Sequence, residues 1–141
     1  MKALFDTSVL VAAVREADHR HEISYKRLMQ FAPQEAACAA HSLAELYAAL
    51  TGMKPPNRIR PEQAVLIVEQ FRANLDCVAL TAEETFQAIQ RTAALKLPGG
   101  IIYDALILAC ARKVQAEQIY TWNVRHFQMA APDLAGQIVT P

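Results

Sequence analysis

Lys2-Ala3-Leu4-Phe5-Asp6-Thr7-Ser8-Val9-Leu10-Val11-Ala12-Ala13-Val14-Arg15 sets a short apolar run against three polar residues and then resumes with residues suited to a helix. It reads as a strand over 2–5, a turn at Asp6-Thr7-Ser8 and a helix over 9–15. The same alternation recurs downstream. A helix is expected over about 19–31, stopped by Pro33, then a buried strand over 36–40. Leu43, Leu46, Tyr47 and Leu50 fall at i, i+3, i+4 and i+7, the spacing of one buried helix face, and Gly52 ends it. After the loop Pro55-Pro56-Asn57, a helix starting near Pro61 carries Ala64, Val68, Phe71 and Leu75 on one side, and these two helices should form a hairpin.

The second half continues the pattern. A strand is expected over 76–80. Thr81 and Glu84 have the spacing of a capping box for a helix whose apolar stripe is Phe86, Ile89, Ala93 and Leu97, closed by Pro98-Gly99-Gly100. The segment 102–113 is apolar on almost every side and reads as a central buried helix. A strand over 119–121, a short helix over 124–128 and a last strand over 137–140 follow. Strands alternating with helices predict an α/β fold on a mainly parallel sheet, with ligands gathered beyond the carboxyl ends of the strands.

Composition bounds the function. The 141 residues suit one domain, 1–141, and 53% hydrophobic with 20% charged residues excludes a disordered chain. Fourteen Lys and Arg balance fourteen Asp and Glu, so any attraction to nucleic acid must be local. The longest apolar runs, such as Ala105–Ala111, are far too short to cross a bilayer, and Asp6 interrupts the segment where a signal peptide needs continuous apolarity. A cytoplasmic protein with no membrane association is expected. Cys38, Cys77 and Cys110 are odd in number, widely spaced and set among apolar residues, as buried reduced thiols are. His19, His21, His41 and His126 lack zinc-ligand spacing and are expected at the surface. No GxxxxGK[ST], GxGxxG or GxSxG occurs, and Asp6 lacks the second acid two places on that a haloacid-dehalogenase-like phosphatase requires.

Four positions remain as candidates for chemistry. Asp6 follows the first strand and would sit at the sheet's carboxyl edge, although it could equally cap the next helix. Glu45 points away from the Leu43–Leu50 stripe; a Ser42-x-x-Glu45 capping box would also explain it. Asp104 lies among Ile101, Ile102, Ala105 and Leu106, where a bare carboxylate is costly, unless the first turn of its helix compensates it. Asn123 follows a strand, with Thr121 beside it, and could be an ordinary helix cap. If Asp6, Glu45 and Asp104 converge, their repulsion calls for a cation, and Mg²⁺ or Mn²⁺ favours such oxygen ligands.

The blocks Leu4-Phe5-Asp6-Thr7-Ser8-Val9-Leu10, Ala44-Glu45-Leu46, Tyr103-Asp104-Ala105-Leu106-Ile107 and Tyr120-Thr121-Trp122-Asn123-Val124-Arg125-His126-Phe127 resemble, in order and spacing, the PIN-domain nucleases, and more narrowly the VapC-type toxins. The resemblance runs over almost the whole chain. It implies an α/β/α sandwich acting as a metal-dependent endoribonuclease, the toxin of a type II toxin–antitoxin pair, with an RNA substrate, a cognate antitoxin and a homodimer. It maps the family acids onto Asp6, Glu45 and Asp104 as ligands of Mg²⁺, with Mn²⁺ the alternative. The fourth position falls on Asn123, and the hydroxyl after the first acid on Thr7 or Ser8. His126 stands where many relatives have a further Asp, which lowers the site's negative charge. With the three acids set aside, eleven acidic residues remain against fourteen basic ones. Arg112, Lys113 and Arg125 are the candidates for phosphate contact. Two other readings share the fold: a catalytically silent module that binds RNA or protein, and a structure-specific DNA nuclease.

Overall fold

The computed structural model describes residues 1–141. Its strands are β1 (Ala3–Phe5), β2 (Ala36–Ala39), β3 (Asp76–Val78), β4 (Gln118–Tyr120) and β5 (Ile138–Val139). Its helices are α1 (Thr7–Val14), α2 (His21–Leu28), α3 (Ala40–Thr51), α4 (Pro61–Asn74), α5 (Ala82–Ala94), α6 (Ile101–Lys113) and α7 (Val124–Ala130), with a 3₁₀ turn over Pro132–Gln137. The strands form one five-stranded sheet, all neighbours parallel, in the order β3-β2-β1-β4-β5. The chain walks outward from β1 to β3 and then returns to the other side of β1. The point where strand order reverses therefore lies between β1 and β4, the place where such sheets bind ligands.

Strand pleating divides the core in two. Ala3, Phe5, Ala36, Cys38 and Tyr120 face one layer with Val9, Leu10, Leu46, Leu50 and Ala64 from α1, α3 and α4. Leu4, Ala37, Ala39 and Ile119 face the opposite layer with Ile107, Leu108 and Phe127 from α6 and α7. The result is the three-layer α/β/α sandwich expected from the sequence, and both sheet faces are dry, as parallel sheets require. Alanine in β2 suits a strand buried on both sides, with every residue of 36–39 inaccessible.

Local signals explain most boundaries. Pro61 opens α4 at its first position, where the missing N–H costs nothing. Gly52 follows α3, and a Cβ there would stand 2.8 Å from the Ala48 carbonyl oxygen. Gly99 takes φ of 71°, the left-handed turn that separates α5 from α6. The Thr81 capping box is formed in both directions. Helices α3 and α4 pack as the expected hairpin.

Four expectations need correction. Helix α2 is shorter than 19–31, because the Asp18 carboxylate accepts from the Arg20 backbone N–H and guanidinium and makes a turn before it. Ala40 belongs to α3, so Ser42 lies inside that helix and no Ser42–Glu45 capping box exists; the Ser42 Oγ is buried without a partner. Helix α5 buries Ala88 and Thr92 rather than its apolar stripe, leaving Phe86, Ile89 and Ala93 exposed. Helix α6 buries Ala105, Ile107, Leu108, Cys110 and Ala111 but leaves Tyr103 and Lys113 exposed.

These two Ser/Thr positions make opposite predictions. Thr81→Ala should lower the unfolding free energy in urea by about 1 kcal/mol, since it removes a working cap. Ser42→Ala should leave stability unchanged or raise it, because it deletes an unsatisfied buried hydroxyl. Equal losses in the two variants would show that Ser42 does cap α3.

Candidate active site

Asp6 closes β1. Its N–H donates to the Tyr120 carbonyl at 2.9 Å, so the β1–β4 ladder runs right up to it. Its backbone carbonyl starts α1, accepting from Val9 N–H, yet its side chain makes no cap bond. The carboxylate is turned instead to the strand junction. Asp6 Oδ2 accepts from the Ser8 hydroxyl at 2.6 Å and from the Thr121 hydroxyl at 2.8 Å. Each hydroxyl in turn accepts a backbone N–H of the segment after β4: Ser8 from Trp122 at 3.1 Å, Thr121 from Asn123 at 2.9 Å. Each hydroxyl accepts one N–H and donates its own proton to Asp6. Of the two hydroxyls that follow Asp6, Ser8 bonds its carboxylate, while the buried Thr7 Oγ1 has no partner.

Burial pushes the Asp6 carboxyl upward from its ordinary value, and the two hydroxyls, with the Ser8 and Thr7 backbone N–H groups, work against that rise. Asp104, half-buried in the first turns of α6, is pushed up to about 6, first by burial and then by the negative charge of Asp6. Glu45 adds to the rise, and His126 opposes it. Asp6, which follows β1, and Glu45, on α3, therefore both act on Asp104 of α6, although the three are distant in sequence. The geometry is open rather than closed, for no three His, Cys, Asp or Glu are gathered tightly enough to grip a metal by themselves. The three side chains offer only oxygen donors, the chemistry of a hard divalent ion that keeps several waters, and such an ion would favour the ionised Asp104 that burial opposes.

The remaining candidates divide. Asn123 sits at the start of α7, exposed, with no capping bond from its side chain, so the ordinary-cap reading of this residue has no support. Arg125, also exposed, lies in the first turn of α7 at the same edge. Arg112 does not join them. It lies eight residues beyond Asp104, roughly 12 Å along the helix axis, and its guanidinium is bidentate on Asp133 at 2.6 and 2.8 Å. Lys113 is held by Glu84 and the Ala79 carbonyl. His41 departs from the surface expectation: its Nε2 is 3.3 Å from Glu45 Oε1, one helical turn away. The i, i+4 spacing of His41 and Glu45 carries that signal once Ala40 is assigned to the helix.

Residues 3–131 match the model of the PIN domain. The chain belongs to the PIN-domain family. It is 32% identical over 114 residues to Ribonuclease VapC27 of Mycobacterium tuberculosis, covering 79% of this chain and 78% of that one. Its fold is shared with the crystal structure of M. tuberculosis VapC20, a sarcin–ricin loop cleaving toxin, at a TM-score of 0.69, 22% identity and coverage of 89% and 92%. It is shared equally with VapBC-1 from nontypeable Haemophilus influenzae, at 0.70, 21% identity and coverage of 99% and 98%. As in PIN-domain VapC nucleases generally, divalent-metal dependence is the family's rule. No helix of this PIN domain is long and apolar enough to cross a membrane.

The raised Asp104 gives this PIN domain a pH signature. Its folded value of about 6 lies above the ordinary 3.8, so between those limits the folded chain keeps a proton that the unfolded chain has released. Stability falls as pH rises through that window, and the loss is complete above about 6. In chelator, Asp104→Asn should melt above wild type near pH 8, and the gap should close as the pH approaches 4. Thermal melts followed by circular dichroism across this range check it; a gap that ignores pH would contradict it.

Proposed function

We propose that this chain is a divalent-metal-dependent endoribonuclease and the toxin of a type II toxin–antitoxin pair, acting on cytoplasmic RNA. The observation that carries the reading is the coupling of Asp6, Glu45 and Asp104 across the strand-order reversal, in a chain whose family and relatives cleave RNA. Asp6, Glu45 and Asp104 would hold Mg²⁺, or Mn²⁺ in its place. When bound, such an ion polarises the phosphodiester and makes water a stronger nucleophile.

The chain's own residues do the rest. Ser8 and Thr121 fix Asp6 Oδ2 and with it the orientation of the carboxylate. Asp104, whose carboxyl is pushed up to about 6, would be held more firmly in its ionised form by a bound cation. Asn123 offers a neutral amide at the edge, where a fourth carboxylate would repel the phosphate. Arg125 supplies a positive charge beside it for the RNA backbone. The antitoxin partner is inferred from relatives described as VapBC assemblies. A homodimer would find apolar side chains ready on α4 and α5, where Val65, Leu66, Phe86 and Ile89 are exposed.

Purified protein should cut RNA in Mg²⁺ or Mn²⁺, stop in chelator, and leave DNA of the same sequence intact. Asp6→Asn and Asp104→Asn, with folding checked by circular dichroism, should lower the rate by at least on the order of 100-fold, since ligand loss forfeits several kcal/mol of charge stabilisation. Cleavage that survives chelation, or RNA binding without turnover at any ion concentration, would overturn the reading. Equal cutting of DNA would reassign the substrate.

A further inference from the structure

Beside the acid cluster lies a cavity of about 690 Å³, lined by His41, Glu45, Leu80, Tyr103 and Leu106 among others. It shares Glu45 with the acids that act on Asp104, and Tyr103 stands next to Asp104 in the first turn of α6. Its walls are mainly apolar, which hydrolysis of a charged phosphodiester does not require. Two groups on it lack protein partners suited to them. Tyr103 is a large aromatic side chain left 62% exposed on a helix whose other bulky apolar residues are buried or partly buried. His41 Nε2 is buried without a hydrogen bond, because Glu45 Oε1 is near but not aligned with it.

An aromatic face, apolar walls and one unsatisfied ring nitrogen together match an unstacked nucleobase. Bases of single-stranded or looped RNA are held by stacking on aromatic side chains and by hydrogen bonds to their edges. A phosphate lying over the acids brings the adjoining base to this cavity. We propose that Tyr103 and His41 form a nucleobase pocket for the nucleotide next to the scissile phosphate, Tyr103 stacking on the base and His41 bonding its edge. This rests on the endoribonuclease reading. It places a determinant of cleavage position in side chains that take no part in holding the ion.

The test compares wild type, Tyr103→Ala and Tyr103→Phe on an RNA that wild type cuts and on the same RNA with single abasic nucleotides around the cut. Affinity is read by fluorescence anisotropy of uncut RNA in the Asp6→Asn background, and KM and kcat by cleavage. Tyr103→Ala should weaken binding and raise KM about 5- to 100-fold, the range of one base–aromatic stack, with kcat much less affected. Tyr103→Phe should behave like wild type. At one abasic position the penalty of Tyr103→Ala should vanish, because there is no base left to stack. A penalty that is the same on abasic and intact RNA, or no penalty at all, overturns the pocket. So does a Tyr103→Ala protein that binds RNA normally but loses its antitoxin. If wild type cuts no RNA, the nuclease reading fails by itself, and the anisotropy arm, run on abasic and intact RNA, still decides the pocket.

Discussion

The structure depends on one buried carboxylate that two strands share. Asp6 ends β1, and its Oδ2 is gripped by hydroxyls from α1 and from the segment after β4, each of which is oriented by a backbone N–H of that same segment. Removing the carboxylate would orphan two buried donors and loosen the junction between β1 and β4. The same bonds fix the orientation of the Asp6 carboxylate beside the strand-order reversal. Structural and chemical demands therefore meet in one side chain, whose hydrogen bonds work against the rise that burial imposes on it.

Around that fixed point the other acids are placed by topology. Glu45 rides on α3, which begins where β2 ends, and Asp104 on the first turns of α6. Neither needs a local motif of its own. Their mutual repulsion is tolerated because each is only partly buried, while the fully buried Asp6 is the one with bonded oxygens. Asn123 and His126 fit the same economy of charge: one is neutral, and the other opposes the rise at Asp104. Basic residues nearby are divided between work and structure. Arg112 is consumed by Asp133, and Arg125 remains exposed at the site's edge.

Much of this was legible in the sequence. The strand–Asp–helix opening, Pro61, the Thr81 box and the Gly99 turn each carry a local signal strong enough to survive tertiary packing, and Asp6 could be placed at the sheet edge from its position alone. Other features depend on contacts that no local pattern encodes. Ala36–Ala40 has neither a period of two nor of 3.6, so the start of α3, and with it the false Ser42 cap, could not be located. The stripe on α5 is genuinely amphipathic, but Ala88 and Thr92 let that helix approach α6 more closely by its small side, and Phe86 and Ile89 are left outside. Thr7 and Ser8 are equivalent as letters. Only the turn of α1 decides that Ser8 reaches Asp6. The partner of Arg112 lies in a 3₁₀ turn that the sequence does not announce.

Asp6, kept in place by two hydroxyls, would hold a divalent ion together with Glu45 and Asp104. Titrating Mn²⁺ into the protein and counting free ion by electron paramagnetic resonance tests it without reference to any substrate. Binding should be present in wild type, lost in Asp6→Asn, and clearly weakened in Thr121→Val, which touches no ion but frees the Asp6 carboxylate. Equal Mn²⁺ uptake by all three proteins would contradict the account.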